Sequence, residues 1–224
     1  MAGVLKPSAE AFPSKQELAA NPIVVRNGEP RAVDLALDLS STCIGWAVGL
    51  NKEPHDWGKL VFKSTAEIGE KLVAVLDFMN FLLEFYKPTR LFVETTLSRH
   101  GDTTRRHNEI LGIVRCVWRQ HTEREILRGW FIPAKTVKAA LGVELAGNHT
   151  ENKRRMVEKI NQIYGLNLVF STSKLKSDDD IADALAVLKA EWTKSEIKKT
   201  KKKTGTKAIG KTRKNGSSIR KRSS

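Results

Sequence analysis

Cysteine is nearly missing from this 224-residue chain, which has only Cys43 and Cys116. They lie far apart, each inside an apolar stretch, with no CxxC pair and no metal-ligand spacing. That excludes a disulfide-stapled scaffold and leaves structural thiols in a reducing compartment. No run of about 18 apolar residues occurs, so no transmembrane span and no membrane partner are expected. The first residues lack a charged start followed by an apolar stretch, so no secretory signal is expected. No internal repeat is visible. Acidic residues are too few to balance the basic ones: 25 Asp and Glu stand against 39 Lys and Arg, a formal net charge of +14.

That excess is concentrated at one end. Residues 194–224 hold thirteen Lys or Arg and one Glu, a net of +12, which leaves +2 for everything before them. A basic, low-complexity tail of Lys, Thr, Gly and Ser is expected to be disordered and to bind nucleic acid, because counterion release from phosphate favours binding without sequence reading. A plain solubilising tail, or a nuclear address, is the weaker alternative. Residues 1–30 contain Pro7, Pro13, Pro22 and Pro30 with little periodicity, which suggests an arm. Residues 31–193 are the candidate folded domain.

Within that domain the pattern alternates between strand and helix. Val33 to Asp38, Cys43 to Leu50 and Lys59 to Lys63 read as strands, the last two joined by a loop from Asn51 to Gly58. Ile68, Leu72, Val75, Met79, Leu82 and Tyr86 recur at helical spacing until Pro88 stops them. Arg90 to Glu94 reads as a short buried strand and Thr103 to Glu123 as a helix. Ile126 to Ile132 reads as a strand, followed by helices near Ala134–Leu141, Thr150–Tyr164 and Asp179–Trp192. Short links between the first three strands demand an antiparallel meander, and later helical crossovers add parallel strands. The expected fold is α/β: a mixed five-stranded sheet, β-β-β-α-β-α-β-α, with helices on both faces.

Acidic residues stand where such a fold gathers them. Asp38 closes the first strand on the face of Asp34 and Ala36. Glu94 ends an otherwise apolar strand, where an unpaired charge is costly. Asp178-Asp-Asp-Ile-Ala-Asp183 opens the last helix. Acids there complement the helix dipole, but Asp180 and Asp183 share a face beside a buried stripe. Whether Asp178 or Asp179 joins them is open. Two like charges about 5 Å apart repel by roughly 3 kcal/mol at an effective dielectric near 20, so a cluster of Asp38, Glu94, Asp180 and Asp183 needs counter-charge. Oxygen-only ligands favour magnesium, with manganese substituting. Two such ions activate a water and stabilise the leaving oxygen of a phosphodiester.

These segments, with Gly45-Trp-Ala-Val48, Leu91-Phe-Val-Glu94, Pro133-Ala-Lys-Thr-Val-Lys-Ala-Ala140 and Asp180-Ile-Ala-Asp-Ala-Leu-Ala186, resemble the RuvC family of Holliday junction resolvases over about residues 32–190. The resemblance implies an RNase H-like nuclease fold and catalysis by Asp38, Glu94, Asp180 and Asp183 as metal ligands. It also implies paired nicking of four-way DNA junctions by a homodimer, joined through the helix near residues 103–120. It places an apolar wedge at Leu97 and phosphate-facing lysines at Lys135, Lys138 and Lys153. The loop from Leu97 to His107 adds Arg99, Arg105 and Arg106 as backbone contacts, with His100 and His107 nearby. Two features depart from the family. Leu39-Ser40-Ser41 replaces its usual small turn after the first Asp, and the arm and tail exceed a minimal resolvase, as fits a viral or divergent member in a bacterial or infected-host cytoplasm. The same acids would also serve a nuclease for other branched DNA or RNA–DNA hybrid. A binding protein that has lost catalysis is the third reading.

Overall fold

The computed structural model describes residues 32–95, 101–124, 126–127, 130–144, 146–173 and 175–204, with backbone alone at Thr95, Gly101, Thr103 and 195–204. Strands β1 (Val33–Leu39), β2 (Cys43–Leu50), β3 (Glu53–Val61), β4 (Arg90–Thr95) and β5 (Phe131–Pro133) form one sheet in the order β3-β2-β1-β4-β5. The meander is antiparallel, β1 runs parallel to β4, and β4 runs parallel to β5. Helices α1 (Ile68–Tyr86) and α2 (Gly101–Thr122) cover one face. Helices α3 (Ala134–Leu141), α4 (His149–Tyr164) and α5 (Asp179–Thr204) cover the other. The mixed sheet and its helical layers are those the sequence pattern requires. Among the described residues no helix is long and apolar enough to cross a membrane.

Turn chemistry sets the meander. Ser40 closes the β1–β2 link: its hydroxyl donates to Cys43 O at 2.7 Å and accepts from Cys43 N at 3.0 Å. A side chain thus supplies the tight turn that glycine supplies elsewhere. Between β2 and β3, Asn51 and Lys52 both take left-handed φ values, 55° and 68°, the twist that suits a two-residue hairpin. β3 therefore starts at Glu53, six residues before the Lys59 expected from the pattern. Pro54 is tolerated because β3 is an edge strand, and the register slips between Val48 and Gly49 beside it.

Two further boundaries differ. β5 is only Phe131–Pro133 rather than Ile126–Ile132. Ile126 is buried but belongs to no strand, so its apolar character reflects burial and not pairing. α5 continues twelve residues past Trp192 to Thr204, because nothing in the Lys-rich stretch breaks a helix before Gly205.

The two faces of the sheet differ in side-chain size. Toward α1 and α2 point Leu35, Leu37 and Leu39 of β1 and Ile44, Trp46 and Val48 of β2. Toward α5 point Asp34, Ala36 and Asp38 of β1 and their cross-strand partners Gly49, Ala47 and Gly45. Small residues on that face let α5 press onto the backbone. A Cβ added at Gly45 would lie 1.9 Å from the carbonyl oxygen of Asp180, and one at Gly49 would lie 2.3 Å from the Trp192 ring. The far end of this contact is tied by Asp34, which accepts from Trp192 Nε1 at 2.7 Å and from Arg90 Nε and Nη2, both at 2.7 Å. A buried carboxylate needs such charge-assisted partners.

Candidate active site: a carboxylate-lined cleft at the strand ends

The carboxyl ends of adjacent parallel strands are where open α/β sheets place ligands. β1 and β4 end together, in register through Leu37 and Val93, and the next residues are Asp38 and Glu94. The close approach at Gly45 sets the first turn of α5 beside them. Asp38, Glu94, Asp179, Asp180 and Asp183 consequently line one cleft of about 480 Å³. Its opposite wall is Lys138 of α3 with His149, Thr150, Asn152 and Lys153 of α4. Asn148 caps α4 by accepting from Thr150 N at 2.9 Å, which fixes where this wall begins.

The turn after Asp38 is braced from three sides. Ser40 closes it, as described above. Buried Lys71 of α1 donates to Ser41 O at 3.0 Å and lies over the Phe62 ring. His107 of α2 hydrogen-bonds the Leu39 backbone, and its burial, outweighing that bond, lowers its pKa. His107 thus supports the backbone next to Asp38 and is not part of the cleft lining.

The acids repel one another. Burial raises Asp38 well above the ordinary carboxylate value, and Asp183, Glu94 and Asp180 add to the rise while Lys153 opposes it. Burial pushes Glu94 up to about 8, Asp183 adding to this and Lys138 and Lys153 opposing. Asp183 is pushed up to about 6 by burial, with Asp180 and Asp179 adding and Lys153 and Lys138 opposing. Burial alone would lower Lys153, yet its bond to Asp179 and the charges of Asp183 and Asp180 hold it above its usual value. Clustered acids in low dielectric behave this way when counter-charge is short. Among the described residues no group of three His, Cys, Asp or Glu forms a finished metal site. The donor chemistry still fits: five carboxylates line one cleft, Asp179 among them paired with Lys153, and hard divalent ions take oxygen ligands.

No protein-family model matches the chain, and no curated protein sequence matches it. Solved structures do match. Thermus thermophilus RuvC in complex with a Holliday junction substrate superposes with a TM-score of 0.57 at 16% identity, covering 74% of this chain and 96% of that one. Thermus thermophilus RuvC in a second structure gives 0.56 at 16% identity over the same shares. The yeast mitochondrial Holliday junction resolvase gives 0.50 at 14% identity, covering 84% of this chain and 89% of that one. The fold is that of the RuvC-like resolvases.

Onto this RuvC-like fold the expected residues fall unevenly. Asp38, Glu94, Asp180, Asp183, Lys138 and Lys153 meet in the cleft. Lys135 is exposed on α3 and does not line it. Arg105 and Arg106 line a separate cleft of about 430 Å³ between the first turns of α1 and α2, with Glu67, Lys71, Asp102 and Glu109. Arg105 is engaged there with Glu109 at 3.0 Å. Leu97, Arg99 and His100 lie outside the described residues, as do residues 1–31 and 205–224.

Asp178 and Asp179, between which the sequence leaves the choice open, have different partners. Asp178 accepts from Val169 N at 3.0 Å and contacts Lys59 Nζ at 3.4 Å, so it braces the approach to α5. Asp179 is buried, lines the cleft and pairs with Lys153. Sequence reading missed His149 and Thr150, although Asn148 before an amphipathic run is a helix-start signal that places both at an N-terminus. It also missed Phe170, Ser171 and Thr172, which line the cleft from an irregular segment with no motif.

Proposed function

We propose that this chain is a divalent-metal-dependent endonuclease that resolves four-way DNA junctions by paired nicks, working as a homodimer. The observation that carries the reading is the convergence of Asp38, Glu94, Asp180 and Asp183, from two parallel strand ends and one helix, on a cleft whose other wall is basic. Similarity in fold to a RuvC bound to a Holliday junction substrate supports branched DNA as the substrate class.

Asp38, Glu94, Asp180 and Asp183 would hold the ions, magnesium with manganese substituting. Bound ions, two per site, would supply an activated water and stabilise the leaving oxygen. The rest belongs to the chain. Lys138 and Lys153 face the acids across the cleft and attract a phosphodiester into it. Asp179 holds Lys153 against that wall. The braced Ser40–Thr42 turn keeps Asp38 from retreating, and Leu97, Arg99, Arg105, Arg106 and the basic tail are assigned to DNA outside the cleft.

The test is a magnesium titration of nicking on a mobile four-way junction, with linear duplex, flap DNA and RNA–DNA hybrid beside it at fixed salt. Symmetric paired nicks on the junction are expected. Asp38→Asn should abolish them while junction binding persists, because a ligand to the ions is lost but the basic wall is not. Equal cutting of linear duplex, or preferred cutting of hybrid, would move the protein to another substrate class. No cutting with any divalent ion would end the nuclease reading.

A further inference from the structure

The described residues between α4 and α5 form no helix or strand, yet they are heavily tied. Asn161 of α4 binds Leu168 through both sides of its amide, each contact 2.9 Å. Val169 and Asp178 close the base of the segment: Asp178 N donates to Val169 O at 2.7 Å, and Val169 N donates to the Asp178 carboxylate. Ser171 N donates to Ser177 Oγ at 3.2 Å. This closed loop presents Phe170, Ser171 and Thr172 to the cleft and delivers the chain into the first turn of α5.

One side chain fastens the loop to the sheet. Lys59 of β3 is the cross-strand partner of Gly45, the residue on whose backbone Asp180 rests. Its ammonium meets Ser177 O at 2.6 Å, Leu175 O at 3.1 Å and Asp178 Oδ1 at 3.4 Å. An ammonium has three donors, and three acceptors from the loop use them. Lys59 is therefore assigned to the loop and not to phosphate, the role proposed for Lys138 and Lys153. Gly45 permits the close approach of α5; Lys59 is what holds the preceding residues down onto it.

We infer that Lys59 is a positioning residue of the candidate site: it clamps residues 175–178 to the edge strand and so sets the register of Asp179, Asp180 and Asp183 against Asp38 and Glu94. This rests on the nuclease reading for its consequence in activity, but not for its geometry. Groups that orient metal-binding side chains from outside commonly change metal affinity or activity by roughly tenfold to a hundredfold when removed.

The test compares K59Q and K59R with wild type, and with Y86F as a control that removes the Tyr86–Asp56 bond on the other face of the sheet. Hydrogen exchange is read at the amides of Val169, Asp178 and Ala182, which report the loop base and the first turn of α5. K59Q is expected to speed exchange there by about tenfold, the equivalent of one lost hydrogen bond, with β1 and β2 amides unchanged. K59R, which keeps charge and donors, should recover part of the protection. In nicking assays K59Q should raise the magnesium concentration for half-maximal rate by at least about tenfold, with junction affinity and its salt slope unaltered and Y86F leaving the magnesium requirement unchanged. Unchanged exchange in K59Q, or a rise spread equally over the sheet, would overturn the clamp. A shallower salt slope in K59Q would make Lys59 a DNA contact instead. If wild type cuts nothing, the nuclease reading fails while the exchange measurement still decides the clamp.

Discussion

Replacing Gly45 with alanine would place a methyl carbon 1.9 Å from the Asp180 carbonyl oxygen, 2.4 Å from its carbonyl carbon and 3.1 Å from Ile181 N. All three are backbone atoms, so no side-chain rotation relieves the contact. Carbon contacts under 3.0 Å are essentially never seen, so the first turn of α5 must back away by roughly 1 Å or more, and displacements of that size at a reacting centre cost on the order of a hundredfold in rate. Overpacking of this kind also costs about 1–3 kcal/mol of stability. Gly49→Ala is the matched control. It strikes the Trp192 ring at 2.3 Å, further along the same helix, where the obstacle is a side chain. Both variants should lower the urea midpoint, but Gly45→Ala should lose far more nicking rate than Gly49→Ala once both are assayed well below their melting temperatures. Wild-type nicking by Gly45→Ala would refute the reasoning, since the acids of α5 would then not need their present distance from Asp38.

Two other outcomes follow from charge. Glu94 titrates near 8 and Asp183 near 6 in the folded protein, both above their ordinary values. The folded state therefore binds more protons than the unfolded one between about pH 4 and pH 8, and stability falls as pH rises through that window. A metal-free thermal melt should show a higher melting temperature at pH 5 than at pH 8, and magnesium should recover the difference at pH 8; a flat profile would mean that burial and mutual repulsion do not raise these carboxyls. Deleting residues 205–224 removes seven Lys and Arg without cutting into α5. Junction affinity should drop and its dependence on salt should become shallower, whereas an unchanged slope would show that the tail does not touch phosphate.

Much of the fold is legible in the letters because most elements each carry one dominant period. β1 alternates large apolar residues with small or acidic ones, and its two faces do pack against different layers. α1 follows its heptad-like stripe to Tyr86 and stops at a left-handed Lys87 before Pro88. The first part of β3 is illegible because an edge strand has one unpaired side, so its sequence Glu53-Pro-His-Asp carries the charges and proline of a loop. β5 was overextended because burial of Ile126 leaves the same mark as a strand would. At the cleft, the end positions of β1 and β4 made Asp38 and Glu94 visible as a pair. Three consecutive acids, 178 to 180, could not be sorted by spacing, since adjacent residues at a helix start point in different directions. Their assignment depends on Lys59, 119 residues from Asp178, and on Lys153. The small residues Gly45, Ala47 and Gly49 did carry a signal, since glycine within a strand often marks a close backbone approach.

The length of α5 divides labour along the molecule. Its first turn belongs to the acids, its middle is anchored by the indole of Trp192 on Asp34, and its last turns run on toward the lysine-rich segment. At about 1.5 Å per residue, the helix carries the chain on the order of 36 Å between Asp180 and Thr204. That is about one full turn of duplex DNA. Under the proposed function, a basic tail that follows Thr204 would start remote from the reacting phosphate and would meet the backbone of a different stretch of the substrate. It would then work as an outrigger, adding grip on a branch arm while leaving the chemistry at the opposite pole undisturbed.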